Sequence, residues 1–322
     1  MGHARIAIRR ILCPVDFSEP STRAMEHAVR MASFFDATVH ALHVVPTMFD
    51  AIEPVLIAPA DAPEGPRAKG VRELAAFVEP FREWHVPIEE TVCLGSPARD
   101  IEAAAADLPA DLVVMGTHGR SGFARFVFGS VTERVMHRVP CPVLAIGAHE
   151  MAPPAAPPYR RILCPTKLVP GSEHALDFAL ALAARSDSRL EVLHVIESMP
   201  PGADGRDPFE GAPEFGGLRT RMVEEADAEM RAAIPPGLDT WCDVVRRVAT
   251  GDAAPAILEA ARTGLADVIV MGIHGSGVER ALFGSTIHRV LRDAPCSVLV
   301  LRQPRSRKAA RKAVSLDAAT AR

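Results

Sequence analysis

Glycines and small polar residues cluster in one segment of this sequence, residues 115–130, which read MGTHGRSGFARFVFGS. The segment follows the apolar run DLVVMG and precedes the helical pattern GSVTERVMHRV, so it is predicted to connect a strand to a helix. Glycine lets the backbone approach a ligand closely, and a helix N-terminus offers free N–H groups and a partial positive charge. The chemistry that this pattern favours is the binding of a phosphate group.

The spacing of the segment differs from two well-known nucleotide loops. It reads G-x-x-G, then nine residues, then G-S, with no lysine after the last glycine, so it is neither a Walker loop nor a dinucleotide GxGxxG motif. The glycines alone could be purely structural. Ser130 could likewise form a capping box with Glu133, three residues further on, without any ligand.

A carboxylate far upstream is the second candidate. Asp16 follows the apolar run RRILCPV and precedes a helical pattern that starts near Ser18. It could accept hydrogen bonds from a ligand at the edge of a sheet, or it could act with Ser18 as an Asx-type cap of the next helix. Both interpretations stay open at this point.

The chain repeats itself. RRILCP at 9–14 recurs at 160–165, LHV at 42–44 recurs at 193–195, MGTHG at 115–119 returns as MGIHG at 271–275, and FGS at 128–130 returns at 283–285. The pattern predicts two tandem domains, 1–148 and 160–303. The Pro/Ala-rich segment 149–159 is predicted to be a stiff linker, and 304–322 a basic tail.

Each copy alternates strand and helix patterns, with five strands per copy. Such an order needs crossover connections and a parallel sheet that is covered on both faces. We therefore predict two doubly wound α/β domains of Rossmann-like type. A helix is expected at about 70–85, and the connections 46–70 and 197–217 are longer than most loops.

Composition excludes several classes of protein. The formal net charge of -4 argues against a protein that coats nucleic acid, although the basic tail could make weak contacts with it. No apolar run is long enough for a membrane span or a secretory signal, so a cytoplasmic location is expected. Cysteines are sparse, and Cys13, Cys141, Cys164 and Cys296 are expected to be small buried residues rather than metal ligands.

The glycine spacing together with ILCPVDFS and LHV resembles the ATP-binding branch of the universal stress protein family. The resemblance covers residues 8–147 and 159–302 and implies an adenine-nucleotide-binding fold with strand order 3-2-1-4-5. It implies binding of ATP, or of ADP or AMP, with or without Mg²⁺. The residues that it implies for adenosine are Pro14, Val15, Asp16 and Val44, and those for ribose and phosphates are Met115, Gly116, Gly119, Gly129, Ser130, Val131 and Thr132.

The second copy departs from this pattern. Lys167 stands where the first copy has Asp16, and an ammonium group only donates hydrogen bonds. Eight residues rather than nine separate Gly275 from Gly284. We therefore expect the first domain to bind nucleotide and the second to bind it weakly or not at all.

No catalytic residue is predicted. His118 and His274 share a position in the repeated loop but have no evident nucleophile or carboxylate partner, and His43 and His194 are expected to be hydrogen-bonded core residues. Three functions remain: a nucleotide-binding stress-response protein, a slow ATP hydrolase, and an interaction module that needs no nucleotide. The resemblance also implies pairing through the last strand of each domain. Segments 141–147 and 296–302 would then form an internal pseudo-dimer or a homodimer.

Overall fold

The computed structural model describes residues 6–47, 65–117, 129–147, 159–169, 172–197, 213–234, 242–273 and 284–302. Several residues singled out above lie outside these ranges: His118, Gly119, His274, Gly275, most of the linker and the tail from 303 onward. The description below concerns the remaining residues.

The first domain alternates strands and helices, as predicted. Its elements are β1 (Arg10–Pro14), α1 (Glu19–Phe35), β2 (Thr38–Pro46), α2 (Pro66–Val78), β3 (Ile88–Gly95), α3 (Pro97–Asp107), β4 (Leu112–Gly116), α4 (Ser130–Arg138) and β5 (Val143–Ile146). The central strands β1 and β4 are buried on both faces and read as continuous apolar runs, as parallel strands covered by helices do.

The second domain repeats this order. Its elements are β6 (Arg161–Thr166), α5 (Glu173–Ser186), β7 (Arg189–Ile196), α6 (Pro213–Ala233), β8 (Asp243–Thr250), α7 (Ala253–Thr263), β9 (Val268–Ile273), α8 (Ser285–Asp293) and β10 (Ser297–Arg302). Matching aspartates fix the start of each domain. The Asp111 carboxylate accepts from the amides of Arg9 and Arg10, and Asp267 does the same for Arg160 and Arg161.

All ten strands form one sheet in the order β3-β2-β1-β4-β5-β10-β9-β6-β7-β8. The predicted order 3-2-1-4-5 is confirmed in both domains, with parallel pairing inside each. The domains join where β5 and β10 pair antiparallel, and these two strands lie within the segments 141–147 and 296–302.

Two apolar clusters cover the two faces of the sheet, and each contains residues of both domains. One face holds α1, α2 and α5 with side chains such as Met25 and Leu182. The other face holds α3, α4, α7 and α8 with side chains such as Val135 and Val290. Burial of apolar surface therefore continues across the join between the domains.

Some element boundaries differ from the sequence predictions. The helix expected at about 70–85 starts at Pro66 and ends at Val78, and a 3₁₀ turn follows over Glu79–Trp84. Pro80 is the reason for the change, because proline has no amide hydrogen with which to continue the α-helical hydrogen bonds. Both long connections are shorter than predicted. The one expected at 46–70 ends where α2 begins, at Pro66, and the one expected at 197–217 ends where α6 begins, at Pro213.

The four cysteines that the sequence predicts to be buried are buried in the structure. Cys13, Cys141, Cys164 and Cys296 are all buried and free, as predicted.

Tyr159, the last residue of the predicted linker, is buried at 1% exposure. Its carbonyl oxygen accepts a hydrogen bond from Ser188 Oγ at 2.6 Å, so this residue is anchored to the second domain.

Candidate functional site

Asp16 lies two residues after the last residue of β1, at the carboxyl edge of the sheet. Its Oδ1 accepts hydrogen bonds from the amide and the Oγ of Ser18, and Ser18 caps α1 by accepting from the Ser21 amide. The Asx-type capping role that the sequence left open is therefore present. One carboxylate oxygen is committed to the start of α1, which orients the side chain.

A histidine of the neighbouring strand holds the backbone just before Asp16. His43 Nδ1 donates to the Val15 carbonyl oxygen at 2.8 Å, and His43 is buried, as predicted for a hydrogen-bonded core histidine. The Val15 amide in turn donates to the Leu42 carbonyl at 2.9 Å. Phe17 then takes a left-handed conformation with φ 65° and packs on the His43 ring at 4.3 Å. These contacts fix the turn that carries Asp16.

The other half of the site joins β4 to α4. Thr132 Oγ1 donates to the Gly116 carbonyl at 2.9 Å, and the Gly129 amide donates to the Thr117 carbonyl at 2.8 Å. Thr117 is itself tied to β5, because its amide and its Oγ1 both donate to the Ile146 carbonyl. The two ends of the glycine-rich segment are therefore fastened together beside the end of β4.

Two of the glycines are required by packing. A Cβ on Gly116 would lie 2.8 Å from Pro20 Cβ, and a Cβ on Gly129 would lie 2.8 Å from the Thr117 carbonyl oxygen. Packing alone is therefore enough to require glycine at these two positions. The contact with Pro20 also brings the first turn of α1, four residues after Asp16, directly against the end of β4.

Helix α4 begins without a side-chain cap. Gly129 is its N-cap residue, no side chain caps it within the described residues, and Ser130 is exposed as the first helical residue. The capping box considered for Ser130 and Glu133 is therefore wrong, since Ser130 lies one position too late to cap the helix. The first-turn amides of α4 keep the capacity to bind an anion.

The remaining predicted residues occupy the same edge and one face of the sheet. Pro14 ends β1 opposite Leu42, and Val44 and Met115 are buried in β2 and β4. Both belong to the apolar cluster on the face of α3 and α4, and Val131 packs against that cluster. Gly119 lies outside the described residues. The predicted residues in the described ranges thus lie in two places. One group lies on or just after β1, β2 and β4: Pro14, Val15, Asp16, Val44, Met115 and Gly116. The other lies at the start of α4: Gly129, Ser130, Val131 and Thr132.

The second domain keeps the backbone outline but loses polar groups. His194 Nδ1 donates to the Thr166 carbonyl at 2.9 Å, and Leu168 is left-handed with φ 54°, which matches His43 and Phe17. Apolar residues, however, replace both loop threonines. Ile273 stands in place of Thr117 and Ile287 in place of Thr132, and both are buried, so neither side-chain hydrogen bond of the first domain can form there.

A cavity of about 430 Å³ opens at the equivalent edge of the second domain. Its lining includes Lys167 and Val195, the counterparts of Asp16 and Val44, together with the glutamates Glu197, Glu225 and Glu229. Glu225 and Glu229 lie on α6, which packs on the opposite face of the sheet from α8, so they do not line the counterpart of the start of α4.

Other functional groups are few. In the described ranges, no cluster of three or more His, Cys, Asp or Glu side chains is placed to hold a metal ion. Among the helices described, none is both long enough and apolar enough to span a lipid bilayer. Burial lowers the pKa of His137 on α4, while Glu133 opposes this shift and Arg302 adds to it.

Sequence reasoning missed Thr117, Pro20 and the role of Thr132 as a link to β4. The repeat contained a usable signal, because comparing the two copies shows both threonines changed to isoleucine. Nothing local to Pro20 indicates that it lies against Gly116, since the two are far apart in the chain.

The fold and this edge define a class: paired, doubly wound α/β domains with a glycine-rich strand-to-helix connection beside the switch point of each domain. The family model of the universal stress protein family matches residues 7–147 and 158–302. These two matches cover most of the chain, which therefore belongs to the universal stress protein family.

Individual relatives agree. A universal stress protein of Methanocaldococcus jannaschii is 36% identical over 143 residues, which are 43% of this chain and 81% of that protein. One of Mycolicibacterium smegmatis is 26% identical and covers 91% of this chain and 96% of that protein. The crystal structure of a universal stress protein from Archaeoglobus fulgidus shares the fold with a TM-score of 0.59, at 21% identity, over 91% of this chain and 98% of that one.

Proposed function

We propose that this chain is a stress-response protein that binds an adenine nucleotide in its first domain. The observation that carries the proposal is the start of α4, where a glycine N-cap leaves the first turn uncapped by any described side chain beside the carboxyl edge of β4. A helix N-terminus in this position binds phosphate groups through its amides. In open α/β sheets, ligands bind at this edge.

The residues divide by chemistry. Asp16 offers a carboxylate that its bonds to Ser18 already orient, and it suits the hydroxyl groups of a ribose. Val44 and Met115 supply apolar surface for a base. Gly129, Ser130, Val131 and Thr132 supply the amides that would meet the phosphates. The match to the family supports the same assignment.

The second domain is proposed to bind nucleotide weakly or not at all. Lys167 replaces the oriented carboxylate, and Ile273 and Ile287 replace the threonines that fasten the loop.

Calorimetric titration of the full chain with ATP, ADP, AMP and adenosine tests this function, with and without Mg²⁺. Asp16→Asn keeps an oxygen for Ser18 but removes the charge, so we expect the affinity to fall roughly 10- to 100-fold, as for a lost charged hydrogen bond. Lys167→Met is the matched control in the second domain and should leave the affinity unchanged. No detectable binding by the wild type, or equal losses for both variants, would refute the proposal.

A further inference from the structure

The join between the domains has approximate two-fold symmetry, and its axis passes between residues that are each other's counterparts in the repeat. Leu144 of β5 pairs with Leu299 of β10, and each occupies the same position in its own domain. We define the seam as β5 and β10 together with α4 and α8 on one face and α1 and α5 on the other.

On the face of α4 and α8, the axis brings Glu133 to His288. The distance from His288 Nε2 to Glu133 Oε1 is 3.6 Å, and both side chains are about two-fifths exposed. These residues are also counterparts, three positions after Ser130 and Ser285. His137 lies close enough to interact electrostatically with both members of this pair.

On the opposite face, the axis brings Phe34 to Arg185, which are counterparts near the ends of α1 and α5. The Arg185 guanidinium lies 5.4 Å from the Phe34 ring centre and 4.9 Å from that of Phe35. Its Nη2 donates to the Phe34 carbonyl oxygen at 3.4 Å. A guanidinium over an aromatic ring is attracted to it.

The two polar pairs suit one combination of domains only. If two first domains from separate chains met through β5, Glu133 would face a second Glu133. If two second domains met through β10, Arg185 would face a second Arg185 and His288 a second His288. Like charges in direct opposition disfavour both of these combinations, whereas a first domain opposite a second has complementary groups on both faces.

We propose that Glu133–His288 and Phe34–Arg185 are specificity contacts that make a first domain pair with a second domain, so that the chain closes on itself rather than assembling with copies of itself through like domains. Leu144 and Leu299 supply the affinity, since they are buried at 1% and 2% exposure and are the same in every combination. The Glu133–His288 and Phe34–Arg185 pairs determine which domain pairs with which. This inference does not depend on nucleotide binding.

Hydrogen exchange of the β5 and β10 amides and sedimentation of the full chain test the proposal together. His288→Glu places two carboxylates on the axis, and Arg185→Glu removes the stacked cation. We expect each to speed exchange at the seam about 1.5-fold to fivefold, the range of exposed charge pairs, and to raise the fraction of multimers.

The double variant E133H/H288E exchanges the two groups and should restore slow exchange and the wild-type mass. Arg138→Glu reverses a charge on the same helix but breaks only a pair with Glu102 inside the first domain, so it is the control and should leave seam exchange unchanged. Wild-type exchange in H288E and R185E, or failure of the double variant to recover, would overturn the proposal.

Discussion

Thr132 Oγ1 donates to the Gly116 carbonyl oxygen at 2.9 Å, which ties the first turn of α4 to the last residue of β4. In the second domain the same positions hold Ile287 and Gly272, and this bond is missing. The two loops therefore share their glycines but not this hydroxyl bond.

Thr132→Val should destabilise the first domain by about 1 kcal/mol, because the partly buried Gly116 carbonyl loses this donor. Thr132→Ser keeps the hydroxyl and is the control, with a smaller loss from the missing methyl group. Chemical denaturation monitored by circular dichroism measures both. Equal free energies of unfolding for the two variants would contradict the role given to the hydroxyl.

Gly129 and Gly284 are a matched pair, since each is the N-cap residue of its helix and their φ angles are -62° and -58°. A Cβ on Gly129 meets the Thr117 carbonyl at 2.8 Å, while a Cβ on Gly284 meets nothing within 4 Å. We expect Gly129→Ala to cost about 1–3 kcal/mol more than Gly284→Ala, the range for overpacking. Thermal unfolding of the two variants measures this difference. Similar losses of stability in both would count against the packing constraint at Gly129.

Acidification should weaken the fold through His137. Burial lowers its pKa in the native state, so the unfolded chain binds more protons, and stability that is present above about pH 6.5 is lost as the pH falls. His137→Gln should reduce the drop in melting temperature between about pH 7.5 and about pH 5.5. His85→Asn, an exposed change at a left-handed position, serves as the control. An unchanged drop in H137Q would argue against this source.

Thiol reactivity should separate the cysteines. Burial raises the pKa of Cys13, Cys141 and Cys164 to about 12, which suppresses the reactive thiolate. Cys93, on the edge strand β3, is the only one of the six cysteines that is not buried. A colorimetric thiol reagent should therefore modify Cys93 first in the native protein, and Cys93→Ser should remove this first phase. A fast phase that persists in C93S would show that a buried thiol is accessible.

The sequence predicted the fold well because its signals are local or repeated. The apolar runs of β1 and β4 and the helical patterns between them define a doubly wound domain, and the recurrence of RRILCP and FGS gives two of them. The candidate site was located from the glycine-rich segment and Asp16. The capping box at Ser130 failed because a sequence pattern does not show whether a residue is the N-cap or the first residue of a helix, and here Gly129 takes the first role.

The sequence by itself determined the two domains, their alternation of strands and helices, the edge of the sheet where the glycines lie and the change from Asp16 to Lys167, and the family resemblance implied the strand order. Only the tertiary structure decided that Pro20 lies against Gly116, that Thr132 fastens the loop, and that Glu133 meets its own counterpart His288 across the seam. The physical reason is that periodicity and turn chemistry act between neighbours in the chain. Close packing, in contrast, joins residues that are distant in sequence, so its contacts follow only from the folded arrangement.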